Sequence, residues 1–242
     1  MPPSTPTAPR MTPLLEICVE TVSAAIAAER GGAGRIELSA SLSVGGLTPS
    51  ERLMREARAA VKIPIFAMIR PRGDEFVYCQ SELAEMRREI EIAKASKLDG
   101  VVLGILRGDN TINLDDTRKL VRIACPLPVT FHRAFDFARN LHEALEAVIA
   151  SGAKRILTSG GKSTAREGVA DLAGLVSASA GRIAILPGGG LNASNLREVA
   201  ALTGASEFHS GLGTTLPYGQ SSDADFEAAV HELAELLAST QP

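Results

Sequence analysis

Short apolar runs alternate with longer amphipathic segments from residue 14 onward. The runs cover 14–19, 34–39, 64–70, 100–106, 128–133, 154–159, 183–188 and 205–210. The amphipathic segments cover 21–30, 49–61, 81–96, 114–124, 140–151, 164–179, 192–202 and 223–239. Short runs bounded by turn residues are typical of strands, and apolar residues recurring every three to four positions are typical of helices. Repeated strand–helix units predict parallel strands joined by right-handed crossovers.

Turn and capping residues mark the ends of several predicted elements. Thr48, which precedes Pro49, and Asn192 are predicted to cap the second and seventh helices. Gly31 and Gly152 are predicted to end the first and fifth helices. Residues 1–13 contain Pro2, Pro3, Pro6, Pro9 and Pro13 among small residues. We therefore expect a disordered leader over residues 1–13 and a single domain over residues 14–240.

The two faces of the predicted strands differ in polarity. In the first strand Leu15, Ile17 and Val19 alternate with Glu16 and Cys18. In an open sheet with helices on both sides, both faces of the central strands are apolar. In a closed barrel, only the outer face meets helices. The sequence therefore predicts a closed (β/α)8 barrel, the TIM-barrel architecture, with a parallel eight-stranded sheet.

Charged side chains are expected on the inner face of this barrel. They are Glu16, Glu37, Arg70, His132, Glu207 and His209. Buried carboxylates must be neutralised by a cation, a metal or a proton, because an unpaired buried charge costs several kcal/mol. Two interpretations follow: the charges form a structural ion network, or they form a ligand site at the carboxyl ends of the strands.

The loop after the third strand carries two arginines, Arg70 and Arg72, around Pro71. Guanidinium groups favour planar acceptors, so both arginines are candidates for binding a carboxylate or a phosphate. The alternative for Arg70 is that it neutralises a neighbouring glutamate. After the fifth strand, His132 is followed four residues later by Asp136. A carboxylate that orients an imidazole favours acid–base chemistry, which makes both residues catalytic candidates.

Glycines and hydroxyl groups follow the last three strands. Candidate ligand-binding residues there are Ser159, Gly160, Gly188, Gly189, His209 and Ser210. Glycines let backbone amides approach a ligand closely, and a helix N-terminus after such a loop favours an anion. The alternative is that the glycines serve only tight turns between strands and helices.

Composition excludes several other classes of protein. The net charge is −3, and the chain has no block of like charges, which disfavours nucleic acid and anionic membranes as partners. No apolar run approaches the roughly 20 residues that span a bilayer. Three cysteines, Cys18, Cys79 and Cys125, form no close pair. A reducing, cytoplasmic location is therefore expected.

Seven segments of the chain are similar to signature segments of the CutC proteins. They are Leu15–Cys18, Arg35–Leu38, Gly45–Ser50, Ile69–Gly73, Thr130–Asp136, Leu157–Gly160 and Phe208–Ser210. The resemblance extends over almost all of residues 14–240 and implies a (β/α)8 barrel in the cytoplasm, often oligomeric. It also carries the family's label of copper homeostasis and copper binding.

The resemblance is incomplete at the copper site that it implies. Where copper binding is proposed for CutC proteins, cysteines at the ends of strands one and two are invoked. Here the first position is Cys18, and the second is Ser39. Because Cu(I) prefers thiolate and thioether ligands, a hydroxyl is a poor substitute. Glu16, Cys18, Glu37 and His209 remain as candidate metal ligands, which suit a divalent metal as well as copper.

Two hypotheses of different classes therefore remain for the function. In the first, the protein is an enzyme acting on a small anionic or phosphorylated metabolite, in which His132 and Glu37 exchange protons and Asp136 orients His132. In the second, it binds or handles a metal ion through Glu16, Cys18, Glu37 and His209. The sequence leaves the cofactor, the substrate and the reaction open.

Overall fold

The structure is a computed structural model that describes residues 13–212, 216 and 222–239. The predicted leader, apart from Pro13, and the predicted domain end at residue 240 lie outside these residues. In the described part of the chain the strands are β1 (Leu14–Val19), β2 (Arg35–Leu38), β3 (Ile65–Met68), β4 (Gly100–Leu103), β5 (Val129–Phe131), β6 (Arg155–Thr158), β7 (Ala184–Pro187) and β8 (Glu207–Ser210). The helices are α1 (Val22–Arg30), α2 (Glu51–Ala60), α3 (Gln80–Ala95), α4 (Leu114–Ala124), α5 (Leu141–Ser151), α6 (Val169–Ser179), α7 (Leu196–Thr203) and α8 (Asp223–Ala238).

The strands form a nearly closed parallel barrel. Ladder hydrogen bonds join the strands in the order β7, β6, β5, β4, β3, β2, β1, β8. Strands β7 and β8 then lie side by side, and the Ser210 hydroxyl donates to the Leu191 carbonyl beyond β7 at 2.7 Å. The predicted TIM-barrel fold is confirmed. None of the described helices is both long and apolar enough to cross a bilayer.

Apolar side chains pack on both faces of the barrel wall, but in very unequal amounts. The outer-face residues, such as Ile17 and Ile36, join the main core between strands and helices. Inside the barrel, Phe66, Met68 and Val102 form a separate small cluster. Phe66 fits there because the opposite position on β4 is Gly100, where a Cβ would lie 2.5 Å from the ring. Leu157 also faces the interior, together with charged and polar side chains.

Two predicted helix caps are wrong. The Ser50 hydroxyl caps α2 by accepting from the Leu53 amide, whereas the Thr48 hydroxyl accepts from the Arg70 amide and ties two loops together. Helix α7 begins at Leu196 rather than near residue 192, because the Asn192 side chain accepts from Ser194 within a preceding turn. Gly31 and Gly152 end α1 and α5 as predicted.

A cluster of four charged side chains closes the amino end of the barrel. Arg35 donates to Glu16 and, at 2.6 Å, to Glu207, which also accepts from Arg155 at 2.7 Å. Both guanidinium groups lie over the Phe66 ring, 5.0 and 5.1 Å from its centroid. We call Glu16, Arg35, Arg155 and Glu207 the basal ion cluster. It neutralises two of the buried glutamates without Arg70.

Replacement of Arg35 by methionine tests the basal ion cluster. Glu16 is fully buried, so loss of its guanidinium partner leaves an uncompensated charge, and we expect the free energy of unfolding to fall by about 3–5 kcal/mol. Arg52→Met removes a comparable ion pair from the exposed face of α2 and is expected to have little effect. Urea denaturation of the three proteins measures the difference, and equal losses in both variants would contradict a structural role.

Candidate active site

A cavity of about 370 Å³ opens at the carboxyl ends of the strands. Its polar side chains are Cys18, Glu37, Arg70, His132, Arg133 and His209. Its apolar side chains are Leu42, Met68, Phe76, Leu157, Leu191 and Leu212, and glycines 45, 189, 190 and 211 complete the lining. The barrel therefore brings six predicted site residues to one cavity, as its parallel strands all end at the same rim. They are Cys18, Glu37, Arg70, His132, Gly189 and His209.

Arg70 follows β3 and is held by backbone carbonyls. Its Nη1 donates to the carbonyl oxygens of residues 44, 45 and 46 at 3.2–3.4 Å, and its Nη2 donates to the Asp74 carbonyl at 3.3 Å. Its guanidinium lies 4.8 Å from the centroid of the Phe76 ring. None of these partners carries a negative charge, although Arg70 is only 6% exposed. The alternative that Arg70 neutralises a glutamate is wrong, because within the described part of the chain Arg70 forms no ion pair, and Arg35 pairs with Glu16 instead.

His132 follows β5 and is a neutral hydrogen-bond donor. Its Nδ1 accepts from the Ala134 amide at 3.1 Å, which places the ring proton on Nε2. Burial, followed by the positive charge of Arg70, lowers the pKa of His132 to about 3. Gly104 makes room for the ring, since a Cβ there would lie 2.5 Å from Nδ1. His132 therefore offers an N–H group to the cavity rather than a basic nitrogen.

Cys18, Glu37 and His209 come together on the other side of the cavity. One ligand atom from each lies within 4.8 Å of the others, and the Cys18 thiol donates to Glu37 Oε1 at 3.1 Å. Burial raises the pKa of Glu37, and burial followed by the Glu37 carboxylate raises the pKa of the Cys18 thiol well above its ordinary value. The thiol is therefore protonated at neutral pH.

Glu16 contacts the cavity only through His209. Its Oε1 lies 2.7 Å from His209 Nδ1, while its Oε2 accepts from Arg35. Burial alone would raise the pKa of Glu16, but Arg35 and His209 lower it to about 2. Burial alone would lower the pKa of His209, but the Glu37 and Glu16 carboxylates raise it. Glu16 thus orients His209, and it is not among the candidate ligand atoms that meet at the cavity, which come from Cys18, Glu37 and His209.

Asp136 holds a loop and does not orient His132, so that prediction is wrong. Its carboxylate accepts from the Thr158 hydroxyl, from the amides of Ser159 and Gly161, and from Arg133 Nε at 2.8 Å. The chain after His132 turns into a short 3₁₀-helix, which directs Asp136 towards the end of β6. The role of Asp136 is to join the loops that follow β5 and β6.

Several predicted ligand-binding residues serve the loops themselves. The Ser159 hydroxyl donates to the Lys162 carbonyl, and Ser210 bonds the Leu191 carbonyl. A Cβ at Gly160 would lie 2.7 Å from the Gly168 carbonyl oxygen, and a Cβ at Gly188 would lie 2.4 Å from Leu157. These contacts favour the tight-turn interpretation for these four residues, which are not among the residues that line the cavity.

Arg72 turns away from the cavity. Its Nε donates to Glu82 at 2.5 Å, its Nη2 donates to the Val77 carbonyl at 2.6 Å, and its guanidinium lies over the Tyr78 ring at 5.3 Å. Arg72 therefore fixes the loop between β3 and α3. Its prediction as a ligand-binding residue is corrected, because Glu82 in the first turn of α3 supplies its carboxylate.

Arg133 is a cavity residue that the sequence reasoning missed. Its Nη2 donates to Ser159 Oγ at 2.9 Å, and a Cβ at Gly189 would lie 3.1 Å from its guanidinium carbon. Gly189, with φ +101°, and Gly190, with φ +72°, need the left-handed region that glycine tolerates. The sequence could have indicated Arg133 as a cavity residue, because it directly follows His132 at the end of a strand.

Three polar atoms of the cavity residues lack a partner. Glu37 Oε2, Arg70 Nε and His132 Nε2 are buried and make no hydrogen bond within the described part of the chain. Buried polar groups in folded proteins are nearly always paired with protein, water or a ligand. Three such atoms on residues that line one cavity indicate a site built to receive polar groups.

Comparison with known proteins identifies the family. The CutC family profile matches residues 13–214. A human protein named copper homeostasis protein cutC homolog is 44% identical over 206 residues, which is 85% of this chain and 76% of the human protein. A family protein CutC from Chromobacterium violaceum is 44% identical over 82% of this chain and 81% of its own length.

Solved structures agree with this assignment. The structure of a copper homeostasis protein CutC from Streptococcus agalactiae aligns with a TM-score of 0.78 and 33% identity, over 81% of this chain and 97% of that chain. Thiamine phosphate pyrophosphorylase from Pyrococcus furiosus aligns with a TM-score of 0.64 and 19% identity, over 96% and 98% of the two chains, and shares the fold alone. On the extent of these matches, the chain belongs to the CutC family.

Proposed function

We propose that this CutC-family protein is an enzyme that transfers protons on a small organic anion bound in the barrel cavity. The observation that carries the proposal is the set of three unpartnered buried atoms, Glu37 Oε2, Arg70 Nε and His132 Nε2. Each such atom costs about 1–3 kcal/mol unless water or a ligand satisfies it. A ligand with matching polar groups recovers that free energy on binding.

Two hydrogen-bond donors specify the charged end of the ligand. Arg70 has no carboxylate partner among the described residues, because its guanidinium contacts carbonyl oxygens and an aromatic ring. His132 adds a neutral N–H group from β5. Both donors favour oxygen acceptors, such as those of a carboxylate or an enolate.

Glu37 and His209 are the proposed proton-transfer pair. Burial raises the pKa of Glu37, and the neighbouring carboxylates raise the pKa of His209. A carboxyl group of raised pKa accepts and returns protons near neutral pH more readily than an ordinary one. His132 takes a different role from the base predicted from sequence: its Nε2–H stabilises negative charge that develops on a substrate oxygen.

Arg70→Met tests the anion site, with Arg72→Met as the matched control. Wild type is expected to gain thermal stability in a panel of inorganic phosphate and small carboxylates, by up to about 2.7 kcal/mol when the anion is at a hundred times its dissociation constant. Arg70→Met should fold with a loss on the order of 1 kcal/mol and lose this gain, whereas Arg72→Met should keep it. An equal gain in Arg70→Met, or none in wild type, would contradict the proposal.

The pH dependence of stability tests the neutral state of His132. Its pKa is lowered from 6.5 to about 3 in the folded protein. Below pH 6.5, the unfolded chain therefore binds a proton at His132 that the folded protein does not bind until the pH approaches 3. Stability is therefore lost as pH falls. Compared with His132→Gln, wild type should lose about 2 kcal/mol more between pH 7 and pH 5. Urea melts at both pH values give the difference, and a pH-independent difference would show that folding does not lower the pKa of His132.

Metal binding is the second candidate function. It is favoured by the meeting of Cys18, Glu37 and His209 within 4.8 Å and by the names of the relatives, which refer to copper homeostasis. The donor set does not fit Cu(I), because it holds one thiol, which is protonated, and the second position is Ser39, whose Oγ lies 3.8 Å from Cys18 Sγ. The carboxylate and imidazole suit a harder divalent ion better.

A chelator competition titration under reducing conditions tests copper binding. We expect weak Cu(I) binding that Cys18→Ser changes little, because a single buried thiol with a raised pKa is a poor anchor for Cu(I). Cys79→Ser, at an exposed cysteine, is the control for adventitious thiol binding. Tight one-to-one binding that only Cys18→Ser abolishes would restore copper as the cargo of this site.

A further inference from the structure

The walls of the cavity are mainly apolar. Six large apolar side chains face it, from the segments after β2, β3, β7 and β8 and from β3 and β6 themselves: Leu42, Phe76, Leu191, Leu212, Met68 and Leu157. Leu157 and Leu212 are at most 4% exposed. Leu212 also adopts φ +54°, a backbone conformation that leucine rarely takes, and the Ser210 hydroxyl accepts from its amide at 3.2 Å.

An apolar surface continues from the charged groups towards the cavity mouth. The Phe76 ring contacts Arg70 on one side and lies 5.0 Å from the His132 ring and 5.6 Å from the Phe137 ring. Phe137 is 62% exposed and Val44, whose carbonyl accepts from Arg70, is 53% exposed. A ligand held by Arg70 and His132 therefore lies beside the Phe76 ring.

A polyhydroxylated ligand does not suit these walls. Each sugar hydroxyl buried without a partner costs free energy, and the hydroxyl side chains near the cavity are already used: Ser159 by the Lys162 carbonyl, Ser210 by the Leu191 carbonyl and Thr158 by Asp136. Leucine, methionine and phenylalanine offer such a ligand no hydrogen bonds. They stabilise a hydrocarbon body by removing it from water.

We infer that the substrate is an amphipathic organic acid, whose anionic end binds Arg70 and His132 and whose aliphatic or aromatic body packs on the leucine walls. This inference rests on the proposed function and narrows its substrate class from small anions in general. It separates the ligand of this barrel from sugar phosphates, whose bodies are hydrophilic.

Binding of a homologous series of carboxylates tests the inference. Butanoate, pentanoate and hexanoate keep one charged group and add one methylene at a time, and ribose 5-phosphate is the hydrophilic comparison. We expect the affinity of wild type, measured by thermal shift and calorimetry, to rise about fourfold per methylene. Ribose 5-phosphate should bind more weakly than hexanoate. Because the series is measured on the wild-type protein, this test does not depend on whether any variant folds.

Two matched variants locate the effect. Leu42→Ser removes hydrocarbon from the half-buried wall residue and should flatten the rise in affinity with chain length. Leu202→Ser makes the same change at a leucine that is 57% exposed on α7 and should leave the rise intact. Urea melts confirm that both variants are folded. If affinity rose equally with chain length in both variants, the hydrocarbon chain would bind elsewhere, and the inference would be overturned.

The outcomes separate this inference from the proposed function. Affinities that do not change with chain length, or tighter binding of ribose 5-phosphate than of hexanoate, would overturn the amphipathic substrate. If Arg70→Met still abolished binding of every anion in that case, the anion site itself would stand. If no anion of either kind bound to wild type, the proposed function and the inference would both be wrong.

Discussion

The basal ion cluster determines which charged side chains remain unpaired in the rest of the barrel. Two glutamates, Glu16 and Glu207, are placed inside the barrel by strand alternation, and both need positive charge to stay ionised there. Arg35 and Arg155 supply that charge at the amino end of the strands. Because Arg35 and Arg155 already pair with these carboxylates at the amino end of the strands, Arg70 at the carboxyl end remains without a carboxylate partner.

This division of charge creates two different electrostatic environments in one cavity. Near β3 and β5, burial and then the positive charge of Arg70 lower the pKa of His132 and keep its ring neutral. Near β1, β2 and β8, the carboxylates of Glu16 and Glu37 raise the pKa of His209. Two histidines of the same barrel therefore have pKa values shifted in opposite directions.

The family relationship and the chemistry of the site point to different functions. The relatives carry names that refer to copper homeostasis, yet this chain has Ser39 beside Cys18 where a second thiol would be needed. A cavity with an unpaired guanidinium, a neutral imidazole and apolar walls is more costly to fold than an all-apolar filling. Such a cavity is explained by a ligand that matches those groups.

The sequence by itself determined the barrel and most of its inward charges. Alternation with a period of two assigned Glu16, Glu37, Arg70 and His209 to the inner face, and that pattern needs no knowledge of contacts. Only the tertiary structure decided which charges pair, because Arg35 and Glu207 are far apart in sequence and meet across β1. For the same reason, only the structure showed that Asp136 bonds to residues at the end of β6 rather than to His132, and that Arg72 bonds to Glu82 of α3. Loop residues have no such periodicity, so their partners depend on how neighbouring loops pack.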